Sequence, residues 1–358
     1  MKSCSLKQTL LRAAGSFGLD SLFRYLNRGK LLVVMYHGVT AGDHRPPVWT
    51  QLPVERFRKQ VAFLRSHYTP LTLTEVTAAL AGNSSLPERA LLITFDDGLR
   101  NNYSCAFPIL QQMGVPAAVF LTVDLIGTQQ LLWFDELLFL LREALDRGLT
   151  PPLADPQTLA LLHSGQLWPA YLVAVERLKR AGRTERQRVM ERLRREIPLD
   201  RGPLLEDFGL LSWDQVTAMH RSGQVEFGVH TATHRIVSEL AEEEWEREIT
   251  LPRRLLEERL GCPVTSFCFP NGRPGLDFVP EHGAALRRSG YLCAFSTENV
   301  LFGWPGGDAM AIGRVPAGND GTSDPACFAL NTSGALQFIT GRRRRRQRPE
   351  TIAGEAEP

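Results

Sequence analysis

Long apolar runs are missing from this chain of 358 residues. No stretch reaches the ~18 apolar residues that a membrane-spanning helix needs, so none is expected. Cysteine is scarce: the six (4, 105, 262, 268, 293 and 327) form no CxxC pair and no regular spacing. That excludes a cysteine-based zinc module and a disulfide framework. Cys268, Cys293 and Cys327 lie inside apolar runs, as small hydrophobic residues in a reducing compartment do. An excess of one charge is also lacking. The net charge is only +2, which argues against nucleic acid as a partner of the whole molecule. The first 30 residues lack a secretory pattern, since Asp20 and Arg24 interrupt the apolar stretch and no small-residue cleavage site follows. The expected location is the cytoplasm.

The charge that is present is unevenly spread. Residues 1–30 carry six Lys/Arg against one acid, residues 176–196 carry nine against four, and residues 342–348 hold six arginines. A mildly acidic body with basic appendages results. The appendages could touch an anionic membrane surface peripherally, and a solvated helix face explains the same charges. The tail at 341–358 is too polar to pack and is expected to be disordered.

Seven short apolar runs recur along the chain: 31–36 (LLVVMY), 91–95 (LLITF), 117–123 (AAVFLTV), 225–229 (VEFGV), 266–269 (SFCF), 291–296 (YLCAFS) and 311–316 (AIGRVP). Most are apolar at consecutive positions, the pattern of strands buried on both faces. Helical stretches lie between them, including 55–68, and capping boxes are expected at Thr72–Glu75 and Ser212–Gln215. Residues 239–260 read as a long charged helix with Pro252 as a kink or break. Alternating strands and helices predict a parallel α/β fold, barrel or open sheet. Between 128 and 210 the strand rhythm stops and two long helical patterns replace it, a helical insertion.

Polar residues cluster at the strand ends. His37 follows the first run, Asp96 and Asp97 the second, His230 the fourth, and Pro270-Asn271-Gly272 the fifth. In parallel α/β folds those carboxyl ends are where sites assemble. His230 and His234 are four residues apart, a spacing that lets both bind one metal ion. A carboxylate as third ligand leaves one position open, as in catalytic zinc sites. One of Asp96 and Asp97 then ligates the ion, and the other stands by as general base. A plain Asp-Gly turn is the competing reading of that segment.

TFDDG (94–98) with HTATH (230–234) resembles the first two motifs of the polysaccharide deacetylases, carbohydrate esterase family 4. VMYHGV (34–39) and FCFPNG (267–272) are similar to two further signatures of a branch that includes biofilm poly-N-acetylglucosamine deacetylases. The resemblance implies an irregular (β/α) barrel of about seven strands over 31–325, preceded by the basic segment 1–30. It further implies Asp96 as catalytic base and Asp97, His230 and His234 as ligands of a divalent metal, zinc by preference. Pro270, Asn271 and Gly272 would meet substrate, an N-acetylated oligo- or polysaccharide. The implied reaction is hydrolysis of the acetamide to acetate and an amine. Two departures stand out. Cys268 holds the place of the arginine that usually orients the base, leaving that role vacant or to a residue such as Arg314, otherwise a substrate contact. No histidine follows His282, so His37 becomes the candidate general acid. A non-catalytic carbohydrate-binding module, or a deacetylase of a non-sugar amide or O-acetyl ester, are the alternatives. Oligomeric state is not legible.

Overall fold

The computed structural model describes residues 18–42, 44 and 48–338. Most of the basic N-terminal segment and all of the arginine-rich tail lie outside the described residues. All seven expected runs form strands. In chain order the strands are β1 (Leu32–Tyr36), β2 (Gly38–Thr40), β3 (Gln51–Pro53), β4 (Thr69–Pro70), β5 (Ala90–Phe95), β6 (Ala117–Leu121), β7 (Val225–Val229), β8 (Ser266–Cys268), β9 (Cys293–Phe295) and β10 (Val315–Pro316). The main sheet runs β10-β1-β5-β6-β7-β8-β9, parallel throughout, with β4 paired to β5. Backbone hydrogen bonds of Ala294 and Ser296 with Ile312 carry β9 toward the segment that enters β10. The two ends of the order therefore meet, and the sheet curls into an irregular barrel. The pair β2–β3 and the strand β4 escaped the sequence reading because two or three residues carry no periodicity.

Alternation along the strands builds two cores. Leu31, Val33, Leu92, Ala118, Phe120, Cys268, Cys293 and Phe295 point one way and pack together inside the barrel. Their neighbours Leu32, Val34, Leu91, Ile93, Val119 and Phe267 point outward and pack beneath the helices. Both faces are dry, which is why the runs read as continuous rather than alternating.

The helices follow their sequence signals with two differences. Both capping boxes form, at Thr72–Glu75 and Ser212–Gln215. The stretch 239–260 is not one long helix. It is a 3₁₀ turn (Glu242–Glu244), a π-helical turn (Glu246–Thr250) and an α-helix (Leu251–Leu260) ended by left-handed Gly261. Pro252, with no N–H to bond the carbonyl of Glu248, sits where the register changes. In the insertion, the second of the two helical patterns, YLVAVERLKRAGRTERQRVMERLRREI, forms two helices, Leu167–Arg180 and Gly182–Glu196, because Gly182 takes φ 73°. With Trp133–Asp146 and Pro156–His163 they enclose a separate core of Leu137, Leu141, Leu162, Ala174, Leu178 and Leu193. No described helix is long and apolar enough to cross a membrane.

Candidate active site

Parallel strands place all their carboxyl ends on one rim, and the chemistry-bearing residues gather there. A cavity of about 410 Å³ is lined by Met35, His37, Trp49, Thr50, Asp96, Asp97, His230, His234 and Asn271, with Phe134, Tyr171, Val175 and Lys179 from the insertion. A cavity of about 460 Å³ between helix Val54–His67 and residues 320–328 shares no residue with it and gathers no comparable set of groups.

The backbone is bent to make this rim. Of the five non-glycine residues with positive φ among the described residues, four sit in its loops: Asp97 (73°), Thr231 (61°), His234 (59°) and Asn271 (59°). Each costs on the order of 1 kcal/mol or more, and such strain clusters where surroundings enforce it for function. At Asp97-Gly98 the chain must turn against β6: a Cβ on Gly98 would come within 2.7 Å of the Leu121 side chain.

Asp97, His230 and His234 face one another. Asp97 Oδ1 lies 3.5 Å from His230 Nε2 and 3.3 Å from His234 Nε2. That oxygen is buried and makes no hydrogen bond. An orphaned carboxylate oxygen in a dry site is costly, and a divalent cation removes the cost. His230 Nδ1 lies 2.8 Å from the carbonyl oxygen of Cys268, to which it donates, so its proton is fixed there and the Nε2 lone pair faces Asp97. Burial holds His230 down at about 4, hence neutral, the form that ligates. These residues fit a metal ion bound by two histidines and a carboxylate.

The loop carrying the histidines is tied down by a residue the sequence did not reveal. Glu248, fully buried, accepts from the Thr233 N–H (3.0 Å) and the Thr233 hydroxyl (2.8 Å). The Glu248 carbonyl, which Pro252 cannot bond, accepts the N–H of Ala232 at 3.0 Å. One glutamate within the acidic run EEEWERE gives no sequence signal of this kind.

Asp96 is held differently. Arg314 donates to it twice, Nη1 to Oδ1 at 2.6 Å and Nη2 to Oδ2 at 2.8 Å. Arg314 Nε donates to the Ser296 carbonyl at 2.9 Å, and the side chain is fully buried. Burial alone would raise the Asp96 pKa, but the guanidinium outweighs it and holds the carboxyl well below its usual range. Cys268 Sγ lies 3.4 Å from Asp96 Oδ1, and burial pushes its thiol well up, so it stays protonated and is a poor metal ligand. A set of Asp96, His230 and Cys268 is therefore the weaker metal candidate, since Asp96 is already committed to Arg314.

A family model for polysaccharide deacetylases matches residues 83–288, more than half of the chain. The chain belongs to the polysaccharide deacetylase family. Among curated relatives, it is 34% identical over 112 residues to a poly-beta-1,6-N-acetyl-D-glucosamine N-deacetylase of Escherichia coli (30% of this chain, 16% of the relative). It is 25% identical over 182 residues to one of Staphylococcus epidermidis (49% of this chain, 59% of the relative). The chain thus spans less than two thirds of the length of either. The solved structure of IcaB from Ammonifex degensii superposes with a TM-score of 0.55 at 20% identity, covering 85% of this chain and 97% of that one. That likeness shows the shared deacetylase barrel.

The remaining candidates fall as follows. His37 lines the cavity, its ring edge-on to Trp49 with centroids 5.0 Å apart. Of the motif 270–272, Asn271 lines the cavity, whereas Pro270 and Gly272 are buried in the turn behind it. A Cβ on Gly272 would approach the Phe269 carbonyl to 2.8 Å, so the turn at this position needs glycine. Arg314 likewise does not reach the cavity, and of the two places open to it the structure puts it on Asp96. Phe134 packs beside His234 with centroids 5.1 Å apart, and Trp133 lies under the Arg186 guanidinium. Asp135 is buried, and burial together with the nearby Asp97 charge holds its carboxyl well above its usual range. Trp49, Thr50, Tyr171 and Lys179 were missed, since nothing in the sequence ties their segments to the strand ends.

Proposed function

We propose that this protein is a metal-dependent hydrolase that removes acetyl groups from N-acetylated sugars of a polysaccharide or glycan precursor. The observation that carries the reading is the pairing at one rim of an unpartnered Asp97 carboxylate between two histidines and, one residue earlier, an Asp96 locked by Arg314. Asp97, His230 and His234 would hold a divalent ion, which would supply Lewis acidity toward the acetyl carbonyl and the attacking water. Asp96, kept ionised and aimed by Arg314, takes the proton of the attacking water. The water oxygen adds to the carbonyl carbon, the carbon–nitrogen bond breaks, and His37 gives the departing nitrogen its proton. Acetate and a free amine leave. Phe134 and Trp49 flank the polar groups, limit competing water and present rings to a sugar.

The reading is supported by the family, whose named relatives act on poly-β-1,6-N-acetylglucosamine. Two histidines and a carboxylate suit zinc. The site is tested by measuring acetate released from chitooligosaccharides and from β-1,6-linked N-acetylglucosamine oligomers, with and without chelator and with zinc restored. Release that disappears with the metal and returns with it supports the proposal. Tight glycan binding with no release from any oligomer points instead to a non-catalytic carbohydrate-binding module.

A further inference from the structure

Helix Leu167–Arg180 runs along the cavity and presents three residues to it at intervals of four: Tyr171, Val175 and Lys179. At 3.6 residues per turn that spacing is one stripe of the helix, so two successive turns face the site rather than a chance side chain. Tyr171 offers a ring and a hydroxyl that burial keeps protonated far above the ordinary range. Lys179 offers an ammonium. Its nearest carboxylate is Glu176 Oε1 at 3.6 Å, on a side chain about half exposed. The Lys179 side chain is itself 23% exposed, and at 3.6 Å across three residues of one helix the pair is a loose one, worth about 0.2–0.5 kcal/mol, so Lys179 can exchange its partner for a ligand.

The same ammonium also borders a small recess beside the main cavity, lined by Trp133, Phe134, Arg186, His234, Ile236 and Asn271. Arg186 is fixed there, its guanidinium 5.1 Å from the Trp133 ring centroid and 3.9 Å from Glu239. Two cations therefore stand on the insertion side, next to His234. The aspartates at the strand ends do not answer them: Asp96 is spent on Arg314 and Asp97 faces the histidines, which leaves Lys179 only Glu176 of its own helix. A neutral glycan would offer this wall only uncharged acceptors, hydroxyl, ether and acetamide oxygens, whereas an anion adds a charge-assisted bond.

We propose that helix Leu167–Arg180 selects the substrate, with Tyr171 as a sugar platform and Lys179 binding an anionic group, phosphate or carboxylate, carried next to the N-acetylated sugar. The inference rests on the deacetylase reading and narrows its substrate class to acidic glycans or glycosyl phosphates.

Three probes separate the sources: N-acetylglucosamine 1-phosphate, a glucuronosyl-N-acetylglucosamine disaccharide, and neutral N,N′-diacetylchitobiose. Acetate release is measured for the wild type, Lys179→Met and Lys179→Arg, and equilibrium binding for Asp96→Asn alone and combined with Lys179→Met. The wild type is expected to favour at least one anionic probe by about tenfold, the scale of one charge-assisted hydrogen bond. Which probe it favours names the anion. Lys179→Met should erase that preference by raising KM and Kd for the anionic probe about tenfold more than for the neutral one, and Lys179→Arg should restore it. No preference for either anion, or a preference that survives Lys179→Met, overturns the proposal. If the wild type releases no acetate from any probe, the deacetylase reading fails, and the binding arm still decides whether Lys179 holds the anion.

Discussion

Arg314 closes on Asp96 from 218 residues away, with both carboxylate oxygens gripped by one guanidinium that is itself fully buried. The pair joins β5 to the segment entering β10 inside the barrel, where solvent cannot compete. Position 268, where the resemblance leads one to expect an arginine, holds a cysteine that cannot grip a carboxylate in this way. Cys268 contributes only its thiol, 3.4 Å from the same carboxylate.

Removing that cation should cost stability and activity together. Arg314→Met leaves an uncompensated buried carboxylate, a loss of ~3–5 kcal/mol in chemical denaturation. Arg314→Lys cannot reproduce two parallel hydrogen bonds and should also fall well short. The sign in pH follows from the opposing influences on Asp96. Without Arg314, burial is opposed only by the lesser influences of His230 and His37, and the pKa rises. The acid limb of the activity profile must then move to higher pH in whichever variant still folds. An unchanged acid limb would deny Arg314 its role.

Glu248 is expected to matter for metal rather than for chemistry. Glu248→Gln weakens the acceptors that hold Thr233, so the His230–His234 loop loosens. Zinc affinity, read by calorimetric titration, should drop by about 10–100-fold, the range for partners that orient ligands. A zinc-saturated variant should recover most of its turnover. Wild-type affinity in a folded Glu248→Gln protein would show that the loop holds itself.

Much of this site could be read from the chain, and the limit is physical. His37, Asp96, Asp97, His230 and Asn271 follow or closely follow buried strands, and a parallel sheet brings strand ends together whatever the loops do. Arg314 could be offered only as one candidate, because its partner depends on how the barrel closes. Glu248 and Pro252 act through a carbonyl freed by a missing N–H, which no residue pattern displays. Tyr171, Val175 and Lys179 do carry a helical stripe, but the stripe does not say which surface it faces. The long charged stretch 239–260 misled for a related reason: its composition is helical throughout, and only the register changes around Pro252.

His37→Asn tests the proton supplied to the leaving nitrogen. Loss of a positioned general acid typically slows turnover by ~10²–10⁴-fold. The variant should keep its metal and its KM, and an aryl-acetate ester with a better leaving group should suffer far less. Equal losses on amide and ester would assign His37 to structure instead.

The insertion should respond to acid through Glu136. This buried carboxylate accepts from Arg194 and Arg201, with Nη2 of Arg194 at 2.6 Å. Burial raises its pKa, yet the two guanidinium groups outweigh that and lower it below the ordinary value. A lowered folded-state pKa means stability that is fully present above the unfolded value of ~4.3. It is lost as pH falls through the lower folded value. The arginines are 42% and 37% exposed, so solvent screens them and ~1 kcal/mol is a fair scale. Denaturant unfolding across pH 3–7, about the range where carboxylates titrate, should show this slope in the wild type and a flatter one in Glu136→Gln.

The most direct test pairs metal content with acetate release in three proteins: the wild type, Asp96→Asn and Asp97→Asn. Asp96→Asn is predicted to hold one equivalent of zinc and release no acetate, and Asp97→Asn to lose both metal and activity. Substantial acetate release by Asp96→Asn, or wild-type release indifferent to chelation, would contradict the assignment of Asp96 as base beside an Asp97–His230–His234 metal site.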